Sequence, residues 1–285
     1  GKPYHNGMIV MHKGQIVYEY HKQLLPMYNI FDEARHFEPG TESSVFKWKN
    51  KTIAFLICED AWGGLEAVYK VDPVTSFAKH KPDMAIVLNA SPSNVGKFDE
   101  RFSHNLHVVK ALKAPLLYVN QVGGNDDIVY DGQSFLMDAN QQLLGVLKPF
   151  EEATATFEIG DHKVKLEEGF KPREDLTLPE FLTKQICLGL KDYMRKCNFE
   201  GVVIGLSGGI DSAVTAALAV LALGKEKVHG IFMPTHFTTD LTAQCMKELC
   251  HALEIKCFNY PIEEEFLLAL KEFKKVFGQE PNAIA

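Results

Sequence analysis

A run of hydroxyl, glycine and acidic residues lies between an apolar stretch, 202–206, and a helix of small residues that starts near Ala213. It reads Ser207-Gly208-Gly209-Ile210-Asp211-Ser212. Adjacent glycines permit positive φ and leave no Cβ in the way, so several backbone N–H groups can converge on one anion at the positive end of the helix. Ser207 and Ser212 add hydroxyl donors. The pattern predicts a phosphate-binding turn.

The acidic residue of this run needs its own explanation, because a carboxylate repels phosphate. We expect Asp211 either to hold Mg²⁺ or to N-cap the following helix. The run lacks the lysine of G-x-x-x-x-G-K-[ST], which excludes a Walker A loop. The alternative is a glycine-rich strand-to-helix turn with an Asp cap and no ligand.

A second group of reactive side chains follows an apolar strand, 53–57. It consists of a thiol and two acids, Cys58, Glu59 and Asp60. A thiol at a strand end is placed as a nucleophile, but it needs a proton acceptor or a cation nearby to react at neutral pH. Taken alone, such a cysteine is most often a small core residue. Lys22, taken alone, is a solvated charge at a strand end.

Three segments in this order resemble the nitrilase-type glutamine amidohydrolase domain: 20–33, which contains Lys22; Ile57-Cys58-Glu59-Asp60; and Asn89-Ala90-Ser91-Pro92, followed by Lys97. The resemblance implies that Cys58 attacks the glutamine amide. It also implies that Lys22 stabilises the tetrahedral oxyanion, helped by the backbone N–H that follows Cys58.

The same resemblance implies a glutamine pocket lined by Tyr28, Glu59, Ser91 and Lys97. Glu59 is expected to hold the substrate's α-ammonium. Glu100 is expected to act as a second acid that orients the reactive groups, although an exposed pair with Lys97 three residues earlier is the ordinary explanation. The resemblance gives Asp32-Glu33 a role in supporting the loop only.

The sequence departs from the family's pattern in two places. Met27 and Asn29 replace the Asn and Gly of L-P-N-Y-G-V-F-D-E. The family's general-base glutamate lies in an F-P-E segment upstream of the lysine, and Glu19 has the wrong context for it. We therefore expect the general base and the first βαβα unit of the fold to lie outside this sequence.

The glycine loop at 207–212 resembles the S-G-G-x-D-S pyrophosphate loop of ATP pyrophosphatases. Met233-Pro234, after the next predicted strand, resembles the M-P pair that meets AMP in NAD synthetases. Together these resemblances imply an ATP site, in which Asp211 would be the Mg²⁺ ligand considered above. The implied ATP-binding residues are Gly205, Leu206, Ser207, Gly208, Gly209, Asp211, Ser212 and Met233.

An amidase ahead of a pyrophosphate-loop domain is the arrangement of glutamine-dependent NAD synthetases. The resemblance implies that glutamine is hydrolysed, that ammonia passes through a tunnel, and that ATP adenylates deamido-NAD before ammonia displaces AMP. It implies glutamine, ATP and deamido-NAD as substrates, a homo-oligomer, and further ligands beyond residue 285. Two alternatives stay open: a stand-alone amidase with an ATP-binding regulatory module, and an inactive nucleotide-binding fragment.

The elements that must position these groups change in character along the chain. We predict a nitrilase-like domain over 1–160, a polar linker over 161–179 and a nucleotide-binding domain over 180–285. In the first domain the predicted strands are Met8–His12, Gln15–Tyr20, Thr52–Ile57, Met84–Asn89, Leu116–Asn120, Ser134–Asp138, Leu143–Leu147 and Thr154–Ile159, and the predicted helices are Gly64–Lys79 and Lys97–Lys113.

In the second domain helices over 180–196, 212–223, 240–253 and 263–277 alternate with strands over 202–206, 228–233 and 255–258. The expected fold class is therefore two-domain α/β. A partial nitrilase-like α-β-β-α sandwich precedes a doubly wound parallel sheet of the Rossmann-like, adenine nucleotide alpha hydrolase type.

Composition limits the class of protein and its partners. The formal charge of −7 argues against a nucleic-acid partner. No apolar run approaches membrane-spanning length, so we expect no membrane partner. The six cysteines form no paired small-domain framework. These observations predict a cytoplasmic protein.

Overall fold

The chain forms two compact units in a computed structural model that describes residues 1–63, 69–160, 163–279 and 281. The first unit comprises Gly1–Gly123 and Asp127–Phe181, and the second comprises Gly124–Asp126 and Leu182–Ala285. The division falls inside the helix that the sequence predicts over 180–196.

Short strands dominate the chain up to residue 168. They are β1 (Gly7–His12), β2 (Gln15–His21), β3 (Phe46–Trp48), β4 (Lys51–Ile57), β5 (Met84–Asn89), β6 (Leu116–Asn120), β7 (Val122–Asn125), β8 (Ile128–Asp131), β9 (Phe135–Met137), β10 (Leu143–Val146), β11 (Thr156–Ile159) and β12 (Val164–Glu168). The helices of this region are α1 (Glu33–His36), α2 (Pro73–Ala78) and α3 (Lys97–Leu112). Each of the predicted strands is present, with ends that agree within two residues.

A six-stranded mixed sheet in the order β10-β9-β6-β5-β4-β3 forms the centre of the first unit. β4, β5 and β6 are parallel neighbours, with Ile57 opposite Leu88 and Asn89 opposite Asn120. Because parallel strands end at the same edge, the residues that follow β4 and those that follow β5 meet there. This edge carries the candidate site.

β1 and β2 form a separate antiparallel hairpin that leads to Lys22. Lys13 and Gly14 at its tip both have positive φ, 51° and 77°. Positive φ at both central residues characterises the type I′ turn, whose twist matches that of the flanking strands. The two predicted strands Met8–His12 and Gln15–Tyr20 are confirmed, and they pair as a hairpin.

The predicted helix Gly64–Lys79 is longer than the helix observed. Residues 64–68 lie outside the described part of the chain, and in the remainder α2 covers only Pro73–Ala78. It starts there because the Asp72 carboxylate accepts the Thr75 N–H at 3.1 Å and Pro73 occupies the first helical position.

The segment predicted as a polar linker, 161–179, contains the strand β12, which pairs antiparallel with β11. Val164 and Leu166 are half-buried, whereas Lys165 between them is exposed. This alternation is that of a strand with one covered face, and the charged residues on its other face give it the composition of a linker.

The core of the first unit lies between the central sheet and the helices α2 and α3. It contains fully buried aromatic and aliphatic side chains from both layers, including Phe77, Val108, Leu116 and Phe135. Tyr118 stacks on Phe135 with ring centroids 4.7 Å apart. The strand ends that carry the candidate site are therefore fixed by a packed layer.

The second unit alternates helices and strands as predicted. Its elements are α4 (Leu178–Lys196), β13 (Val202–Gly205), α5 (Ile210–Leu223), β14 (Val228–Phe232), α6 (Asp240–Leu253), β15 (Lys256–Asn259) and α7 (Glu263–Phe277). The three strands are parallel in the order β13-β14-β15.

A second buried cluster lies on the face of this sheet that α5 and α6 cover, and it includes Leu206, Ala216, Val228 and Met246. α5 ends at Leu223, the predicted boundary, and Gly224 follows it with φ 84°. In the described ranges we find no helix with the length and apolar character needed to cross a bilayer.

Candidate functional site

Cys58 lies where β4 passes into a short 3₁₀ helix, Cys58–Trp62. Its φ is 45°, in the left-handed region that non-glycine residues seldom adopt. The residue is half-buried and lines a cavity of about 500 Å³. A strained backbone at the end of a central strand thus presents a thiol to an open space of the size that small-molecule sites have, roughly 300–1,000 Å³.

The surroundings of Cys58 keep its thiol protonated. Burial raises the pKa of Cys58 to about 11; the charge of Lys22 acts in the opposite sense, while Glu59, Glu33 and Asp60 raise the pKa further. A neutral thiol therefore predominates near pH 7, and attack on a substrate requires transfer of its proton.

Lys22 follows β2 and is almost completely buried, with 1% of its surface exposed. Its Nζ donates to Glu33 Oε1 at 2.7 Å. The expectation that Glu33 only supports the loop is corrected, because its carboxylate binds the Lys22 ammonium directly. An isolated cation is costly to bury, so the partner carboxylate fixes where the ammonium lies.

Glu59 accepts hydrogen bonds on both carboxylate oxygens. Tyr28 donates to Oε2 and Tyr69 to Oε1, each at 2.8 Å. Burial and the neighbouring Glu59 carboxylate raise the pKa of Tyr28. Tyr69 was not predicted as a site residue, because nothing in its local sequence marks it. Glu59 is thus a buried carboxylate held in a fixed orientation.

Lys97 and Glu100 form an ion pair at 2.5 Å in the first turn of α3. Both side chains line the 500 Å³ cavity, and Lys97 Nζ lies 5.8 Å from the centre of the Trp62 ring. The pair has the spacing of an ordinary helix-surface contact, but its position at the cavity makes both charges available to a ligand.

Ser91 lines the same cavity and belongs to a buried polar network that the sequence did not reveal. Arg101 donates through Nε to Ser91 Oγ at 3.0 Å and binds both oxygens of Asp131 at 2.8 and 3.1 Å. Asn120 accepts the Ser91 N–H at 2.9 Å. The loop after β5 is therefore held in place by buried charged and amide groups.

The structure brings the predicted residues of the first unit together around one cavity. Its lining includes Tyr28, Cys58, Glu59, Ser91, Lys97 and Glu100. Lys22 is not part of the lining and acts on Cys58 through its charge.

In the second unit the glycine loop joins β13 to α5 as predicted. Gly208 has φ 77°, and a Cβ at this position would lie 2.6 Å from the Thr242 carbonyl oxygen, so only glycine fits. The Ser207 and Ser212 hydroxyls are 3.2 Å apart, and Ser207 Oγ accepts the Gly209 N–H at 3.3 Å. The loop's donors and acceptors thus bind one another.

Asp211 lies in the first turn of α5, and the N-cap position is taken by Gly209 without a side-chain cap. The N-cap alternative for Asp211 is therefore wrong. In the described ranges no three His, Cys, Asp or Glu side chains are grouped to hold a metal ion. The Asp211 carboxylate is exposed and can contribute one ligand.

The other predicted ATP-site residues lie at the carboxyl ends of β13 and β14. The Met233 side chain is 42% exposed, and its Cε lies 3.3 Å from where a Cβ on Gly205 would stand. Leu206 is 2% exposed and packs into the core, so only its backbone is available to a ligand.

Comparison with known proteins gives two family matches. Residues 1–165 match the carbon-nitrogen hydrolase family, and residues 182–284 match the NAD synthase family. Glutamine-dependent NAD(+) synthetases from Synechocystis sp. and Aquifex aeolicus are 37% and 34% identical over 90% and 96% of this chain, which covers 47% and 54% of those proteins. The chain spans about half the length of the relatives it matches.

Solved structures agree with these matches. A glutamine-dependent NAD⁺ synthetase from Acinetobacter baumannii, in complex with adenosine diphosphate, superposes with a TM-score of 0.85 at 31% identity, over 98% of this chain and 51% of that one. A second synthetase, from Cytophaga hutchinsonii, gives a TM-score of 0.75 at 18% identity over 98% and 53% of the two chains, which supports the fold alone. The predicted two-domain α/β fold class is confirmed.

Proposed function

The chain belongs to the carbon-nitrogen hydrolase family and continues into an NAD synthase region, and from this we propose that it acts in glutamine-dependent NAD⁺ synthesis. Glutamine is hydrolysed at Cys58, and ammonia is passed to an ATP-dependent site. There deamido-NAD is adenylated and then amidated to NAD⁺, with release of AMP and pyrophosphate. The observation that carries the proposal is the position of Cys58 at a strained strand end, where the charge of Lys22, a buried lysine bound to a carboxylate, acts on its thiol.

The amidase half follows from the chemistry of the cavity. Cys58 Sγ attacks the carbonyl carbon of the glutamine amide, its proton leaves with the amide nitrogen as ammonia, and a thioester forms. Water then hydrolyses the thioester to glutamate and restores the thiol. Since the thiol pKa is about 11, proton transfer must accompany the attack.

Charge develops on the amide oxygen during this attack. The Lys22 ammonium and the backbone N–H of Glu59 are the donors that we assign to the oxyanion, and Glu33 holds the ammonium in place. We assign recognition of the amino acid to the rest of the cavity. Glu59 faces the α-ammonium, while Lys97, Ser91 and Tyr28 bind the remaining polar groups and Glu100 orients Lys97.

The ligase half uses the glycine loop of the second unit. We propose that the backbone N–H groups of Gly208 and Gly209 and the hydroxyls of Ser207 and Ser212 bind the phosphates of ATP. Met233, Gly205 and the Leu206 backbone would border the adenosine part. The related A. baumannii enzyme was solved with adenosine diphosphate, which supports an adenine nucleotide here.

A lone exposed carboxylate such as Asp211 suits Mg²⁺, which proteins often bind through one or two carboxylates while substrate phosphates supply other ligands. The ion would neutralise phosphate charge during adenylation. Asp211 would hold it at the start of α5.

The test separates the two halves of the reaction. We expect Cys58→Ala to abolish NAD⁺ formation from glutamine, ATP and deamido-NAD but to leave formation from added ammonium salt unchanged. Cys197→Ser, which changes an exposed thiol of the other unit, is the control and should alter neither. Glutamine-supported synthesis that survives Cys58→Ala would refute the role of Cys58. Hydrolysis of a different amide without any response to ATP would favour the stand-alone amidase.

We extend the proposal to setting and assembly. All six cysteines are free, as expected for a protein of the reducing cytoplasm. A homo-oligomer is proposed from the resemblance alone, and sedimentation velocity at several protein concentrations tests it.

A further inference from the structure

Asp60 is a fully buried carboxylate, 0% exposed, that contacts the segment carrying Lys22. Its Oδ1 accepts the backbone N–H of Gln23 at 2.9 Å and that of Leu24 at 2.8 Å. These residues directly follow Lys22. Two hydrogen bonds to one charged oxygen therefore fix the backbone from which the lysine side chain extends.

The other oxygen of Asp60 contacts the segment that carries Cys58. Oδ2 accepts the backbone N–H of Ile57 at 3.1 Å, immediately before the cysteine, and the Tyr20 hydroxyl at 2.8 Å. Tyr20 is itself 2% exposed and lies two residues before Lys22. One carboxylate thus connects β2 and the loop after it with the end of β4.

The four donors occupy the four lone-pair sites of the Asp60 carboxylate. An ionised carboxylate can only accept hydrogen bonds, so this arrangement suits the ionised form. An asparagine could keep its oxygen on Gln23 and Leu24, but its NH₂ group would then face the Ile57 N–H, donor against donor. Asp60 does not line the 500 Å³ cavity, and protein donors take all four of its lone-pair sites, which leaves none for a substrate. The contacts of Asp60 therefore indicate that it holds two chain segments together and does not react with a substrate.

We propose that Asp60 is a positioning residue that keeps the Lys22 ammonium close enough to Cys58 to act on its thiol. The proposal rests on the roles proposed above for Lys22 and Cys58. It differs from a general structural role in one respect. Removal of Asp60 should abolish the influence of Lys22 on Cys58 even in a folded protein.

A single Asp60 variant is not decisive, because two effects oppose each other. The negative charge of Asp60 disfavours the Cys58 thiolate, as do Glu33 and Glu59, whereas the charge of Lys22 favours it. Loss of Asp60 removes a repelling charge and, on our proposal, also releases the attracting one. A double-substitution experiment separates these effects.

The experiment measures the rate at which iodoacetamide alkylates Cys58 between pH 7 and 10, followed on the Cys58 peptide by mass spectrometry. Lys22→Met is introduced into the natural sequence and into Asp60→Ala, Asp60→Asn and Asp83→Ala backgrounds. Asp83 is the matched control, because its Oδ2 accepts the Thr52 N–H at 2.8 Å at the opposite end of β4. Hydrogen exchange across β5 and β6, whose side chains Val87 and Leu116 are buried in the core of the first unit, reports whether that unit is folded in each variant.

We expect Lys22→Met to slow alkylation about tenfold or more in the natural sequence and in Asp83→Ala, since an opposite charge within a few ångströms shifts a pKa by about 1–3. In Asp60→Ala the same change should have less than about a twofold effect, with an intermediate effect in Asp60→Asn. An equal effect of Lys22→Met in every background would overturn the role of Asp60. No effect even in the natural sequence would instead overturn the roles of Lys22 and Cys58.

Loss of hydrogen-exchange protection across β5 and β6 in both Asp60 variants would show that Asp60 is needed for folding of the first unit, and this too would overturn the proposal.

Discussion

At the scale of single residues, the first unit is organised by cations buried against carboxylates. Lys22 and Arg101 are 1% and 3% exposed and bind Glu33 and Asp131. Such pairs repay their desolvation only when geometry is good, and they are poor sources of net stability. What they provide is a defined position, in one case for the ammonium whose charge acts on the Cys58 thiol and in the other for the loop at Ser91.

Removal of the Arg101 side chain should leave Asp131 buried without its cation. We expect Arg101→Met to lower the free energy of unfolding by about 3–5 kcal/mol, measured by urea denaturation. Arg35→Met is the matched control, because Arg35 pairs with Asp32 at 3.1 Å on the surface, and its loss should cost less than about 1 kcal/mol. Equal losses in the two variants would contradict this account of the Arg101 network.

The alkylation rate of Cys58 should keep rising at pH values above those at which a free cysteine is already ionised. Because burial raises its pKa to about 11, the thiolate is scarce at neutral pH, and the rate with iodoacetamide should rise about tenfold per pH unit up to that value. In urea the alkylation rate of the same peptide should level off above a pH of about 8.5, the pKa of a free cysteine. A plateau near 8.5 in the native protein would show that Cys58 is not desolvated.

The sequence identified the residues with reactive groups but not their partners. Cys58 and Lys22 were identified through the segments around them, since a strand-end thiol or a single lysine taken alone is not diagnostic. Glu33, Tyr69 and Asp131 were missed because their roles depend on contacts made only after folding, and no local pattern marks such contacts. For the same reason the sequence did not show that Glu59 is held by two tyrosines.

At the scale of elements, the glycines on either side of α5 allow a matched comparison of two substitutions. Gly208 before α5 and Gly224 after it both have positive φ, but only Gly208 abuts another backbone, 2.6 Å from the Thr242 oxygen. We expect Gly224→Ala to cost about 1–2 kcal/mol through φ alone and to leave ADP binding intact.

Gly208→Ala should cost more and should abolish ADP binding, as measured by isothermal titration calorimetry and thermal unfolding. ADP affinity unchanged by Gly208→Ala would refute the assignment of this loop to phosphate.

Elements with a clear apolar period were predicted, and those with charged exposed faces were missed. The ends of α6 and α7 agree with the prediction to the residue, because apolar residues recur at helical spacing in both sequences; α6 buries Met246 and Cys250, whereas α7 has no buried residue. β12 was taken for part of a linker, since Lys165, Glu167 and Glu168 mask the alternation of Val164 and Leu166. The predicted helix is absent over residues 69–72, because Pro73 and the Asp72 cap set the start of α2, and residues 64–68 lie outside the described part of the chain.

At the scale of the whole molecule, each unit has its own buried cluster. Leu116 in the first and Leu206 in the second are 0% and 2% exposed, so each Leu→Ala change should cost about 2–5 kcal/mol within its unit. Hydrogen exchange should show loss of protection confined to the unit that carries the substitution. Loss spread equally over both units would show that they unfold as one.

The fold class and the family could be inferred from sequence because two short motifs occur in one order in one chain. Neither motif defines the arrangement alone, since a strand-end cysteine is usually a core residue and a glycine loop is often only a turn. The domain limits remain predictions, and the strand within 161–179 shows why composition alone does not set them.

The left-handed backbone of Cys58 has an evolutionary consequence. Glycine is the residue that this conformation suits, so a Cys58→Gly chain would relieve strain at the end of β4 while losing the thiol. Selection for stability and selection for chemistry therefore favour different residues at this position. A homologue that has lost amidase activity would be expected to drift toward glycine here first, which would make this position a marker of lost function within the family.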